Sequence, residues 1–117
     1  MVYCRGVLTA LTTNLDVLAR IGTALGDDSR RRLLVALMDG PAYPSELAGD
    51  LGLTRANVSN HLTCLRGCGI VTARPEGRRV RYELTDPRLV KVLRDMLRIR
   101  LVADPAACPN AVHDGCC

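Results

Sequence analysis

The spacing of apolar residues changes once along this chain, and that change constrains the fold more than any other feature. Leu11, Leu15, Leu18, Ile21 and Leu25 recur every three or four positions, a helical stripe that should end near Gly26. Asp28 or Ser29 can cap a second helix running to about Met38, with Leu33, Leu34 and Leu37 facing inward and Gly40-Pro41 stopping it. Pro44-Ser45-Glu46 opens a short third helix carrying Leu47, Ala48 and Leu51 and closed by Gly52. Thr54 caps a fourth, which extends through Leu65 to a break at Gly67 or Gly69.

Beyond that break the period becomes two, because Val80, Tyr82 and Leu84 alternate with Arg79, Arg81 and Glu83. Ile70 to Arg74 is the expected partner strand, and Pro75-Glu76-Gly77 the loop of the resulting hairpin. Asp86-Pro87 starts a last helix whose stripe of Leu89, Val90, Leu93, Met96, Leu97 and Leu101 should end before Pro105. Two short helices joined by Gly52-Leu53-Thr54 and followed at once by a hairpin read as a mainly α fold with a β-hairpin wing: a winged helix-turn-helix.

Composition agrees with that order of elements. With three Tyr and neither Phe nor Trp among 117 residues, the core must be built from Leu, Val, Ile, Ala and Met, which suits helices better than sheets. The length allows one domain with a modest core, here residues 1–105, and a cysteine-containing tail, residues 106–117, without periodic pattern and expected to be mobile. The last helix carries a wider apolar stripe than a single small domain needs, so a homodimer is expected, with the first helix sharing the interface. No stretch approaches 18 uncharged apolar residues, which argues against a membrane span or secretion signal and for a cytoplasmic protein.

The net charge is only +4, but the arginines are unevenly spread. Arg74, Arg78, Arg79 and Arg81 lie within eight positions, and Arg30, Arg31 and Arg32 form a second run. Near the start of the fourth helix Arg55, Asn57, Ser59, Asn60 and His61 form a candidate reading surface, since Asn and Arg make paired hydrogen bonds to base edges and Ser favours phosphate. Arg78, Arg79 and Arg81 would let the wing grip the DNA backbone or minor groove. A two-fold dimer would set two reading helices about 34 Å apart on an inverted-repeat operator in double-stranded DNA.

Six cysteines are many for a reducing compartment, where thiols stay available as metal ligands or redox centres. Cys64 and Cys68 are four apart on one helix and within reach of a single ion. With Val58, Leu62 and Leu65 as the buried stripe, they fall on its flank with His61 and Asn57, outside the ordinary core. Two thiolates are an incomplete site. Cys108 or the pair Cys116-Cys117 could complete it or act as an accessory trap, and such ligands select soft ions. Cys4 has no clear partner. Oxidation of Cys64 or of the tail pair, as a redox switch, is the competing use of the same thiols. Catalysis finds little support, because no acid that would orient His61 is evident and no organic cofactor is implied.

The stretch from Leu51 to Gly69, LGLTRANVSNHLTCLRGCG, resembles the ArsR/SmtB family of metal-sensing repressors and most closely its cadmium- and lead-sensing CmtR branch, over roughly residues 15 to 108. The resemblance implies a homodimer that represses a metal efflux operon and leaves its operator when cadmium or lead binds as inducer. It also implies a ligand set of Cys64 and Cys68 with Cys108, which follows Asp104-Pro105, supplied by the other subunit. The third helix, Glu46-Leu-Ala-Gly-Asp-Leu51, lacks the cysteine motif of other branches, and Asp86 to Leu101 lacks the His of the zinc sensors. The vicinal Cys116-Cys117 is not part of the branch pattern and leaves trivalent arsenic or antimony open.

Overall fold

The computed structural model describes residues 14–107 and runs α1 (Asn14–Leu25), α2 (Asp28–Leu37), α3 (Pro44–Leu51), α4 (Arg55–Gly67), β1 (Val71–Glu76), β2 (Arg79–Leu84) and α5 (Arg88–Met96). Leu11, expected to begin the first stripe, lies outside the described residues. The core forms where α2, α3, α4 and the hairpin meet: Leu33, Leu34 and Leu37, then Leu47 and Ala48, then Val58, Leu62 and Leu65, closed by Ile70, Val71 and Tyr82. Each such Leu or Val withdraws its side chain from water, worth about 1.5–3 kcal/mol apiece.

The second helix is capped one residue earlier than expected, by Asp27, whose carboxylate accepts from the Arg30 N–H at 3.0 Å. Of the arginine run that follows, only Arg30 is turned inward, while Arg31 and Arg32 stay exposed. Arg30 is buried, and its Nε and Nη2 donate to the carbonyls of Ala24 (3.3 Å) and Thr23 (2.8 Å) at the end of α1. Arg31 Nη1 donates to the Leu25 carbonyl at 2.8 Å, and Arg32 to that of Leu51 at the end of α3. Helix ends leave carbonyls without intrahelical partners, and a guanidinium fork satisfies them while complementing the negative end of the dipole. The run therefore ties helices together, with Arg30 removed from the surface and Arg31 and Arg32 still exposed upon it.

The hairpin is antiparallel from Val71 opposite Leu84 to Glu76 opposite Arg79. Pro75 and Glu76 belong to β1, so the turn is Gly77-Arg78 and not Pro75-Glu76-Gly77, with Gly77 at φ +62°. Pro75 fits the ladder because of its register. Tyr82 directs its N–H and C=O away from β1 to Ala42 (2.8 and 2.9 Å), so Ala73 opposite Tyr82 is a non-hydrogen-bonded pair. Pro75 opposite Val80, two residues along, has the same parity, and no N–H is required there.

The last helix starts where expected, with the Asp86 carboxylate accepting from the Arg88 N–H at 2.9 Å. It ends at Met96, well short of Pro105, and Leu101 is not on it. Leu93 is buried, but Leu97 and Ile99 are 64% and 60% exposed. A short helix takes most of its stability from packing one face, and beyond Leu93 the rest of the described chain offers no such surface.

Candidate nucleic-acid interface and cysteine site

The helix-turn-helix is built from short-range devices. Gly52 ends α3 in the left-handed region, φ +66°, and the Leu53 N–H returns to the Ala48 carbonyl at 3.0 Å. Thr54 then caps α4, its Oγ1 accepting from the Asn57 N–H at 3.0 Å. Val58, Leu62 and Leu65 anchor the underside of α4 at 0% exposure, which leaves Arg55, Asn57, Ser59 and Asn60 exposed at its N-terminal end. His61 stands apart from that set: it is half-buried, and its Nε2 lies 3.7 Å from Asp27 Oδ2 at the α1–α2 corner. The backbone N–H of Arg30, and secondarily His61, hold the Asp27 carboxyl below its ordinary range.

The three wing arginines are not equivalent. Arg79 places its guanidinium carbon 3.4 Å from the centroid of the Tyr43 ring. Tyr43 is the N-cap residue of α3, and its hydroxyl donates to Glu76, an acceptor that also pushes the phenol up from its ordinary value. Arg81 pairs with the other oxygen of Glu76 at 3.2 Å, and Arg74 with Glu83 at 3.0 Å. Arg78, in the turn, is exposed and enters none of the ion pairs among the described residues. Tyr43 thus joins the start of α3 to the wing. Sequence reasoning missed it; the available signal was a Tyr placed directly before the helix-opening Pro44 in a chain with few aromatics.

Of the cysteines, Cys64 and Cys68 lie within the described residues, whereas Cys4, Cys108, Cys116 and Cys117 lie outside them. Cys64 is a half-buried free thiol on α4. Cys68 is 6% exposed and belongs to the core cluster, a correction to its placement on the flank. It occupies the C-cap of α4, where its N–H donates to the Cys64 carbonyl at 3.0 Å, and its sulfur is disulfide-bonded. The inward turn comes from Gly69, whose φ of +84° lets the Ile70 N–H return to the Leu65 carbonyl at 3.0 Å. The Cys68 carbonyl accepts from Arg20 Nη1 of α1 at 3.2 Å. Among the described residues no three Cys, His, Asp or Glu side chains converge as a metal site; Cys64 is a free soft donor on α4, and Cys68 becomes one only when its disulfide is reduced.

The sequence pattern described as "Bacterial regulatory protein, arsR family" matches residues 27–73, the span from the α2 cap into the first wing strand. The regulator CmtR of Mycobacterium tuberculosis is 58% identical over 89 residues, 76% of this chain and 75% of that protein. The chain belongs to the ArsR family. A probable mercury resistance operon repressor of Streptomyces lividans, 39% identical over 95 residues, covers 81% of this chain and 74% of its own length. The NMR structure of the cadmium metal-sensor CmtR from M. tuberculosis superposes with a TM-score of 0.61 at 57% identity, covering 74% of this chain and 90% of that one. The homodimeric winged helix-turn-helix DNA-binding domain Mb0332 of Mycobacterium bovis gives 0.66 at 26% identity, covering 76% and 87%. As an ArsR-family transcriptional regulator with a winged helix-turn-helix, the chain belongs to a regulatory and not an enzymatic family. No helix among the described residues is long and apolar enough to cross a membrane.

Proposed function

We propose that this regulator is a homodimeric repressor that binds an inverted-repeat operator and releases it when cadmium or lead is captured by the thiolates of Cys64, Cys68 and Cys108. The observation that carries this reading is that Cys64 sits on the reading helix and Cys68 on its C-cap, so a chelate formed there acts on the element that enters the major groove. Two sulfur donors one helical turn apart suit a soft, thiophilic ion. The high identity to a protein described as a cadmium metal-sensor supports the same ion class here. Arg55, Asn57, Ser59 and Asn60 take the base-reading and positioning roles, and Arg78 the freest phosphate contact. The exposed apolar faces of α1 and α5 support a two-fold dimer.

Release requires that metal favour a dimer with weaker affinity for DNA. A thousandfold weakening needs about 4 kcal/mol of coupling, and DNA then weakens metal binding by the same factor. The test is operator anisotropy with reduced protein, titrating cadmium, lead, zinc and arsenite separately. Cadmium or lead should release the operator from the parent, while Cys64→Ser and Cys68→Ser should keep operator binding and lose release. Retained release in both variants removes α4 from the site.

The disulfide at Cys68 favours a second reading, in which oxidation and not metal is the signal. The two readings separate cleanly. Release by peroxide and not by cadmium under matched conditions, reversed by a reductant, selects the redox switch.

A further inference from the structure

Tyr43 is held in place by backbone on both sides. Before it, Ala42 exchanges hydrogen bonds with Tyr82 of β2, its N–H donating at 2.9 Å and its C=O accepting at 2.8 Å. After it, Pro44 opens α3, and the Tyr43 N–H donates to Glu46 Oε1 at 3.2 Å. The hairpin it faces is anchored unevenly. Val71 and Tyr82 belong to the core and Val80 packs against it, whereas Glu76, Gly77, Arg78 and Arg79 are all exposed. Glu76 and Arg79 form the last rung of the ladder, and Tyr43 engages both: its hydroxyl donates to Glu76, and its ring centroid lies 3.4 Å from the Arg79 guanidinium carbon. Among the described residues these are the polar and ring contacts that tie the outer rung to the helical body, since the Arg81–Glu76 and Arg74–Glu83 pairs stay within the hairpin.

We propose that Tyr43 is a positioning residue for the wing: by gripping both members of the last rung, it sets where Arg78 in the adjoining turn meets the DNA backbone. This inference rests on the reading that Arg78 contacts phosphate. A two-stranded ribbon is marginally stable by itself, and between Val80 and the turn no described wing residue packs against the core. Each contact of Tyr43 is weak at so exposed a place. Both are made by one side chain on a fixed seat, however, so a swing of the wing breaks them together. The same seat continues into the reading helix, because α3 passes through the left-handed Gly52 and the Thr54 cap directly into α4. Wing and reading helix thus share one frame, and Arg78 reaches DNA with less freedom to lose than on an untethered ribbon.

The experiment is a double-mutant cycle on the reduced, metal-free, full-length protein: the parent, Arg78→Ala, Tyr43→Leu and the two combined, with Tyr43→Phe as the conservative variant. The probe is a labelled DNA duplex of random sequence, whose anisotropy titration reports backbone contacts through its salt dependence. In the parent, Arg78→Ala should reduce the log-log slope by about 0.9, and with Tyr43→Leu already present by less than about half of that. Tyr43→Leu alone should weaken binding about threefold to tenfold, the ordering cost of one long side chain. Tyr43→Phe keeps the ring beneath Arg79 but loses the hydroxyl tie, and should give an Arg78 effect between the two. Without DNA, amide order parameters at Gly77 and Arg78 should fall in Tyr43→Leu while those of α4 hold. An Arg78 effect of equal size in both backgrounds overturns the proposal, as do unchanged order parameters at the turn. Should Tyr43→Leu lose its helical circular dichroism, the same cycle on Tyr43→Phe decides, and an undiminished Arg78 effect there overturns the proposal. A parental slope untouched by Arg78→Ala sinks the phosphate reading and the proposal with it, and the order parameters, measured without DNA, tell that failure from a failed tether.

Discussion

Helix α4 and the pair α1 and α5 stand at opposite ends of a contrast. On α4 the large apolar residues Val58, Leu62 and Leu65 are fully buried, and the exposed side chains, Ala56 apart, are polar. On α1, Leu15 and Leu18 are 76% and 65% exposed, and on and after α5, Met96, Leu97 and Ile99 stand out as well. The first surface is complete within one chain and offers directional hydrogen bonds. The second is apolar and unfinished, and only another apolar surface would satisfy it. On the proposed reading, specificity and association fall to different elements of a small molecule, so each can be perturbed with the other intact.

The sharpest way to break the contrast is to charge the unfinished surface. Leu18→Glu with Leu97→Glu should give a monomer by sedimentation that keeps its helical circular dichroism, and operator affinity should fall by about 10²–10⁴ as the second half-site is lost. A dimer that survives both changes would mean that the exposed stripes are not its interface. Truncating the finished side acts on folding instead: Leu62→Ala should cost about 2–5 kcal/mol in urea unfolding, because a fully buried side chain leaves a cavity. A loss below 1 kcal/mol would show that the core can collapse around the gap.

Smaller effects sharpen the polar side. Asn57→Ala should relax preference at one base pair by about 1–3 kcal/mol, whereas equal losses on specific and random DNA would make it a backbone contact. In the wing, Arg78→Ala should reduce the log-log salt slope by about 0.9, and Arg79→Ala by less, because Arg79 is already engaged with Tyr43. Equal slopes for the two variants would show that the Tyr43 stack is given up on DNA.

The smallest effect lies at the α2 cap. Asp27→Ala should cost about 0.5–2 kcal/mol near neutral pH. The folded carboxyl titrates below its free value of 3.8, so its contribution is present above that value and is lost as pH falls through the folded one. The stability gap between parent and variant should therefore narrow in acid, and a gap constant down to pH 3 would mean that the cap owes nothing to charge.

Local signals in the sequence were sufficient for most elements. Gly52, Thr54 and Gly69 each perform the turn or cap their residue types announce, and the alternation at Val80, Tyr82 and Leu84 does form a strand. What escaped was set by partners distant in sequence. Asp27 outcompetes Asp28 as a cap, and Arg30 reads as surface charge until the end of α1 is seen to need donors. Pro75 looks like a loop residue until the Ala42–Tyr82 bridge fixes the parity of the ladder. The overlong reading of α5 has a different cause: periodicity records a stripe fit for burial but not which chain covers it. At the cysteines, spacing placed Cys64 and Cys68 side by side, yet it could not show the C-cap turn that takes Cys68 into the core.

The arginine run at the start of α2 also bears on how the protein would find its operator. Arg31 and Arg32 spend their hydrogen bonds on helix ends, yet both remain solvent-exposed, and a hydrogen bond does not cancel a full positive charge. Within a Debye length, about 8 Å in physiological salt, that charge still contributes to the field an approaching polyanion meets. Such groups act on the rate of encounter while making no contact in the final complex, so the arginines that draw this regulator toward DNA need not be those that hold it there.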